Sequence, residues 1–171
     1  MTNVSQQKRC VAALQVLARG ELQEWNGLPD DCRRPDIEDA LGPSASGPDG
    51  VGHLEGGAIA FRDYPPSEFA PAGITVWWKS QDEPVMLQIN EPGITEAQII
   101  ELGVPEKILP SGLHFIAKQL IYAKRGVTVH IVEKPFRPLR LYAYESTSVD
   151  KFIQSAFSRV EIRRHLRPEF E

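Results

Sequence analysis

The sequence has few of the features that announce a compartment or a chemistry. No stretch of its 171 residues is apolar over the length that a membrane-crossing helix needs. Between Met1 and Trp25, Lys8, Arg19, Glu21 and Glu24 interrupt the apolar residues before they reach the length of a secretory core. A cytoplasmic protein is the expectation. There are 2 cysteines, Cys10 and Cys32, in no C-x-x-C or Cys/His spacing, and in such a compartment both read as free thiols. A surplus of positive charge is missing as well: 19 basic and 23 acidic residues leave a formal charge of −4, which argues against a general nucleic-acid binder.

Motifs of catalysis are also missing. His53, His114, His130 and His165 stand in no HxH or HExxH arrangement, so neither a metal nor another cofactor is expected. The G-x-G within "GPDGVGHLEGG" follows a helical stretch instead of a strand, and no Lys-Ser/Thr completes a phosphate cradle. "GPSASG" lies in a loop, where a nucleophile elbow would need a strand before it and a helix after it. The carboxylates of "PDDCRRPDIED" suit the favourable field at a helix N-terminus. With no acid, base and nucleophile set in view, the chain reads as a non-enzyme and no catalytic residue is named.

What is present is a pattern. Apolar residues make up 42% and charged residues 25%, enough for one globular core in a single domain spanning residues 1–171. Ser5 is a plausible cap for a helix over residues 5–25, with Val11, Leu14, Leu17, Ala18, Leu22 and Trp25 at helical spacing. "PDIEDAL" forms a short second helix ended by Gly42, and a Gly/Pro/Ser-rich loop follows. Then come three strands, "AIAFRDY", "GITVWWK" and "PVMLQIN".

The same order begins again after "EPG". Thr95 and Gln98 form a capping box opening a helix that ends at Gly103; "VPEKILPSGLHF" is the loop, and "KQLIYA", "GVTVHIV" and "PLRLYAY" are the strands. The expectation is an internal duplication, about 35–92 and 93–145, of a helix–loop–three-strand unit. An amphipathic C-terminal helix over residues 148–165 follows. The fold class is α+β, a mostly antiparallel sheet with helices on one face.

Strand alternation then sorts the side chains. Ile74, Val76 and Trp78 with Val85, Leu87 and Ile89 face the core, which turns Trp77 and Met86 the other way. In the second unit the same reasoning turns out His130, Arg140, Tyr142 and Tyr144. Large amphipathic side chains on an open sheet face have the composition of a binding hot spot, so Trp77, Met86, His130, Arg140, Tyr142 and Tyr144 are the candidate partner-binding residues. A C-terminal helix crossing that face would instead bury them. Basic residues around Lys118, Lys124, Arg125, Lys134 and Arg137 face an acidic front in the first unit, a polarity that can steer a charged partner.

The repeated "LG-P … Y … G-[IV]-T-V … L" pattern resembles the helix–loop–strand motif of the β-lactamase-inhibitor-protein-like superfamily, which includes the small lipoproteins of the outer-membrane barrel-assembly machinery. The resemblance covers roughly residues 35 to 145. It implies two tandem units and an aromatic sheet face that grips a target protein. The functional expectation is a protein-binding module of inhibitor or immunity type that occludes a toxin or enzyme. Alternatives are a scaffold or homodimer using the same face, and a small hydrolase built on the loops that carry His53 and His114.

Overall fold

In a computed structural model the described residues are 4–42, 49–54, 57–79 and 82–154. Helix α1, Val4–Ala18, buries Cys10, Leu14 and Leu17, which its 3.6-residue repeat stacks on one stripe. The expected single helix to Trp25 is broken: a separate 3-10 turn, Leu22–Glu24, delivers Leu22 and Trp25 to the core. Helix α2, Arg34–Leu41, has proline in its first turn, and the Asp36 carboxylate reaches back to accept the Arg33 N–H at 3.0 Å. Helix α3, Glu96–Glu101, carries the expected capping box: Thr95 Oγ1 accepts the Gln98 N–H and Gln98 Oε1 accepts the Thr95 N–H, at 3.2 and 2.9 Å. Helix α4, Val149–Gln154, begins where the C-terminal helix was expected; the remainder of that helix, and His165, lie outside the described residues.

Among the described residues eight strands form the sheet, two more than the sequence reading gave. They are β1 Gly50–Leu54, β2 Gly57–Tyr64, β3 Ile74–Trp78, β4 Pro84–Asn90, β5 Lys107–Pro110, β6 Lys118–Tyr122, β7 Val127–Val132 and β8 Arg137–Tyr144. The order is β1-β2-β3-β4-β8-β7-β6-β5, antiparallel at every pairing, so β1 and β5 are the two edges. Both additional strands are edges, one glycine-rich and the other four residues long and closed by Pro110. Neither carries the alternation by which a half-buried strand is recognised. Between β6 and β7 the turn rests on Gly126, at φ +75°, where a Cβ would come within 2.2 Å of the Tyr144 carbonyl oxygen.

The main core lies between the sheet and α1, α2 and α3, and joins Leu14, Leu17, Ile37 and Ile99 to Ile74, Val76, Trp78, Leu87, Ile89, Val129 and Leu141. These strand residues lie on the side that alternation assigned to the core. Val85 departs from it: the ladder slips at Trp77/Trp78, Pro84 stands opposite Trp78, and Val85 packs with the cluster on the other side. Helices do not keep to one face. Phe152 of α4 stacks on Tyr144 across the sheet from α1, with ring centroids 4.9 Å apart, and closes a second cluster with Met86, Ile121 and Tyr142. The reading of Cys10 and Cys32 as free thiols is also corrected. Their Cα atoms are 5.6 Å apart, inside the usual span of a disulfide, and the two sulfurs are bonded. Sequence separation alone gives no sign of this, and the free-thiol reading had followed from the expected compartment. No helix among the described residues is long and apolar enough to cross a membrane.

Candidate functional site

The sheet face opposite α1 holds all six candidate residues, as alternation required, but it is not open. Met86, His130, Tyr142 and Tyr144 are buried, while Trp77 and Arg140 are half-buried. The pairings Trp77↔Met86, Met86↔Tyr144, Gln88↔Tyr142, Thr128↔Tyr142 and His130↔Arg140 carry these side chains in adjoining rows across β3, β4, β8 and β7. Two regions result. Over β7 and β8 the face is a buried polar layer; over β2, β3 and β4 it is partly accessible around Phe61, Trp77 and Gln88.

The buried layer is joined by hydrogen bonds and ring contacts of Thr128, His130, Arg140, Tyr142 and Tyr144. Thr128 Oγ1 and the Tyr144 hydroxyl are 2.8 Å apart, Arg140 donates to the Tyr142 hydroxyl at 3.1 Å, and the His130 ring meets Tyr142 edge-on at 5.3 Å. Burial pushes the Tyr144 phenol up from its ordinary value. His130 Nδ1 lies 2.7 Å from Ser111 Oγ, and both residues are essentially inaccessible, at 1% and 0% exposure. Ser111 Oγ also accepts the Leu113 N–H at 3.1 Å, and the tautomer of the His130 ring sets which of Oγ and Nδ1 donates to the other. Burial, with the Arg140 charge nearby, holds the imidazole pKa down at about 3. A serine and histidine at this distance have the geometry of a nucleophile and its base, yet here no solvent reaches either atom. The pair works as a pin.

What the pin holds is the loop from Ser111 to Ala117. Its backbone closes on itself through Ser111 N–H to the Ala117 carbonyl and Ala117 N–H to the His114 carbonyl, both at 3.0 Å. Gln119 donates to the Pro110 carbonyl at 3.1 Å, and His114 Nδ1 accepts the Ile116 N–H at 3.3 Å. At the apex Phe115 is 80% exposed and Ile116 49% exposed, with the His114 ring stacked on Phe115 at 4.6 Å. Strand alternation missed this element because its order comes from side chains that the fold joins across 19 residues. His114 therefore takes part in loop structure; the side chain of His53 lies outside the described residues.

On the helix side a charged cluster stands over the edge of β2. Arg34 makes two contacts to the Asp49 carboxylate, at 2.8 and 2.6 Å, and a third to Glu38 at 3.0 Å; Arg62 adds 3.0 Å to Asp49, and the Tyr64 hydroxyl donates to Glu38 at 2.8 Å. The Arg34 guanidinium also lies 4.9 Å over the Trp78 ring. Hydrogen bonds from Arg34, joined by Arg62, lower the Asp49 pKa to about 2 against the opposing effect of burial. The Asp49 bond in turn raises Arg34, and burial raises Tyr64. At the far end of the sheet a cleft of about 650 Å³ opens between residues 25–33 and the start of β4, with Trp25, Leu28, Pro84, Val85 and Phe152 in its walls. Among the described residues no group of three or more His, Cys, Asp or Glu side chains is placed to hold a metal ion.

No family model matches the chain. No curated protein matches it either. Among solved structures it is similar to the crystal structure of a DUF4309 family protein (YjgB) from Bacillus subtilis, with 11% identity and a TM-score of 0.48, over 81% of this chain and 99% of that one.

Proposed function

We propose that this protein is a protein-binding module of inhibitor or immunity type, which docks on a toxin or enzyme through the loop that carries Phe115. The observation that carries this reading is the exposure of Phe115 on a loop whose backbone is closed by hydrogen bonds and whose base is pinned to β7. An aromatic held still in water gains contact area on binding while losing little further freedom, which is the requirement for a hot spot. Apolar exposure is also concentrated there. Of the large apolar side chains exposed among the described residues, Ile100, Val104, Ile108, Phe115 and Ile116 belong to one short stretch, against Val4 and Val51 elsewhere. In this reading His130 anchors the contact loop, Trp77 and Arg140 lie on the accessible flank, and Met86, Tyr142 and Tyr144 support it from inside.

The architecture is proposed to be two tandem units of one helix and four strands, in the manner of the β-lactamase-inhibitor-protein-like superfamily. Three pairs of features favour the duplication. Gly42 and Gly103 follow α2 and α3 with φ of +83° and +80°. Reading outward from the central β4–β8 pair, the order is β3, β2, β1 on one side and β7, β6, β5 on the other. Register slips occur at Trp77/Trp78 in β3 and at His130/Ile131 in β7, the corresponding strand of the second unit.

The test is affinity capture with three baits: wild type, a Phe115→Ala/Ile116→Ala variant and Trp77→Ala, followed by titration of the captured protein in pure form. The expected result is one stoichiometric partner, retained by wild type, lost by the loop variant and weakened by Trp77→Ala. Equal retention by all three baits would sink the reading. A captured enzyme or toxin that is silenced by the complex marks an inhibitor, and one that stays active marks a scaffold.

A further inference from the structure

The chain has three asparagines, Asn3, Asn26 and Asn90, and of these Asn26 alone is followed by glycine. Asn3 lies outside the described residues. The other two sit in opposite circumstances. Asn26 is exposed in the irregular stretch between the 3-10 turn and α2, where it lines the cleft. The residues around it are anchored: Trp25 is buried and donates from Nε1 to the Tyr144 carbonyl, and Leu28 packs against the main core. Asn26 and Gly27 form the accessible step between them.

Among the described residues neither the Asn26 side chain nor the Gly27 N–H is hydrogen-bonded. Gly27 stands at φ +86°, and nothing lies within 4 Å of the place a Cβ would take. The backbone nitrogen that follows Asn26 is thus neither engaged nor screened by a side chain of its own. Asn90 is the reverse. It ends β4, half-buried; its Oδ1 accepts from Gln88 at 3.5 Å, and the N–H of the next residue, Glu91, donates to the Leu139 carbonyl at 3.0 Å.

We propose that Asn26–Gly27 is a self-modifying site, at which the asparagine amide is converted without an enzyme to a carboxylate on the cleft. Solvent base removes the Gly27 N–H proton, and the nitrogen attacks the Asn26 side-chain carbonyl carbon. The new carbon–nitrogen bond closes a five-membered succinimide as the bond to the side-chain nitrogen breaks; that nitrogen takes up a proton and leaves as ammonia. Water then adds to one of the two ring carbonyls and opens the ring. Opening at the side-chain carbonyl restores the ordinary peptide bond and leaves an aspartate. Opening at the main-chain carbonyl leaves an isoaspartate, with the backbone routed through the former side chain. One water enters, one ammonia leaves, and no oxidant or reductant is needed. Both products carry a charge that the amide lacks, and it acts on its surroundings as any charge-changing modification does. The cleft is lined by three cations, Arg33, Lys79 and Lys151, and three anions, Asp30, Glu83 and Glu145. One further carboxylate tips that balance to negative, so the modified cleft favours a cationic ligand more than the unmodified one does.

The experiment follows the full chain in warm, mildly alkaline buffer, with samples digested at acid pH and mapped by mass spectrometry over time. The peptide holding Asn26 is expected to gain a carboxyl at least about tenfold faster than the peptide holding Asn90, whose backbone must first open. Electron-transfer fragmentation should find both aspartate and isoaspartate at position 26. The same course in guanidinium chloride separates fold from sequence: Asn26 should convert there within about threefold of its rate in the folded chain, because the fold gives it no protection. An Asn26→Ser variant should lose the acidic species that isoelectric focusing resolves in aged wild type. Conversion of Asn26 slowed about tenfold or more by folding would overturn the proposal. So would equal rates at Asn26 and Asn90, or an acidic species that persists unchanged in the variant. Aspartate without isoaspartate would mean direct hydrolysis of the amide, and the ring mechanism would fall.

Discussion

The two halves of the sheet bury polar groups in opposite ways. Over β2, on the helix side, Arg34, Asp49, Arg62 and Glu38 form a charged cluster that remains partly wet, with side-chain exposures of 17 to 35%. Over β7, on the other side, Ser111, Gln119, Thr128 and His130 form a dry layer in which the side chains are neutral. Charges that keep some water attract one another through a high effective dielectric, and salt screens them. Neutral groups without water lose the whole cost of desolvation when one partner is removed. The first device should be forgiving and salt-sensitive, the second unforgiving and indifferent to salt.

The largest effect is expected from the dry layer. His130→Ala leaves a cavity and strips Ser111 of its hydrogen-bond partner, and should cost about 3 kcal/mol in urea unfolding at pH 7.5, with little change in high salt. The same residue sets an acid response. Its folded pKa of about 3 lies below the ordinary 6.5, so the unfolded chain binds the proton first. Stability is whole above pH 6.5 and declines as pH falls from there toward 3, with a slope approaching 1.4 kcal/mol per pH unit. A His130→Gln variant should lack that slope. If it declines between pH 6.5 and 4 as steeply as wild type, some other group carries the response.

The charged cluster should answer more weakly and at lower pH. Asp49 is depressed to about 2 from an ordinary 3.8, so its contribution is present above pH 3.8 and is lost as pH falls from there to 2. Asp49→Asn should cost about 1 to 2 kcal/mol at pH 7 in low salt and distinctly less in 1 M salt. An Asp49→Asn cost that ignores salt would mean that geometry, and not charge, holds α2 to the sheet edge.

The two halves also differ in how far they could be read in advance. Helix ends and central strands were legible because local chemistry writes them: Gly42 and Gly103 after apolar stripes, the Thr95/Gln98 box, and alternation from Ile74 to Trp78 and from Val127 to Ile131. Alternation also placed all six candidate residues on one face. Alternation did not decide between an open face and one crossed by the C-terminal helix, and it is α4 that reaches Tyr144 in the tertiary fold. Edge strands β1 and β5 escaped because glycine and proline mask a short strand. Contacts between residues far apart in sequence had no local mark at all. Cys10 meets Cys32, and Ser111 meets His130, only after the sheet has formed. The reading of an open aromatic face thus failed where the polar layer is driest, and the exposed aromatic is found in a stretch read simply as loop.

Phe115 offers the smallest effect on stability and the sharpest check on that contrast. Its side chain is 80% exposed, so Phe115→Ser removes almost no buried area and should change unfolding free energy by no more than about 0.5 kcal/mol. The pin beneath it should be untouched, and hydrogen exchange at Leu113 and Ala117, whose N–H groups are bonded within the loop, should stay as slow as in wild type. His130→Ala should do the reverse, speeding exchange at both amides while leaving Phe115 in place. If Phe115→Ser instead costs more than about 1 kcal/mol, the ring packs against this chain in solution and is part of its core. If stability holds and partner capture is lost, the dry layer exists to keep one wet aromatic still.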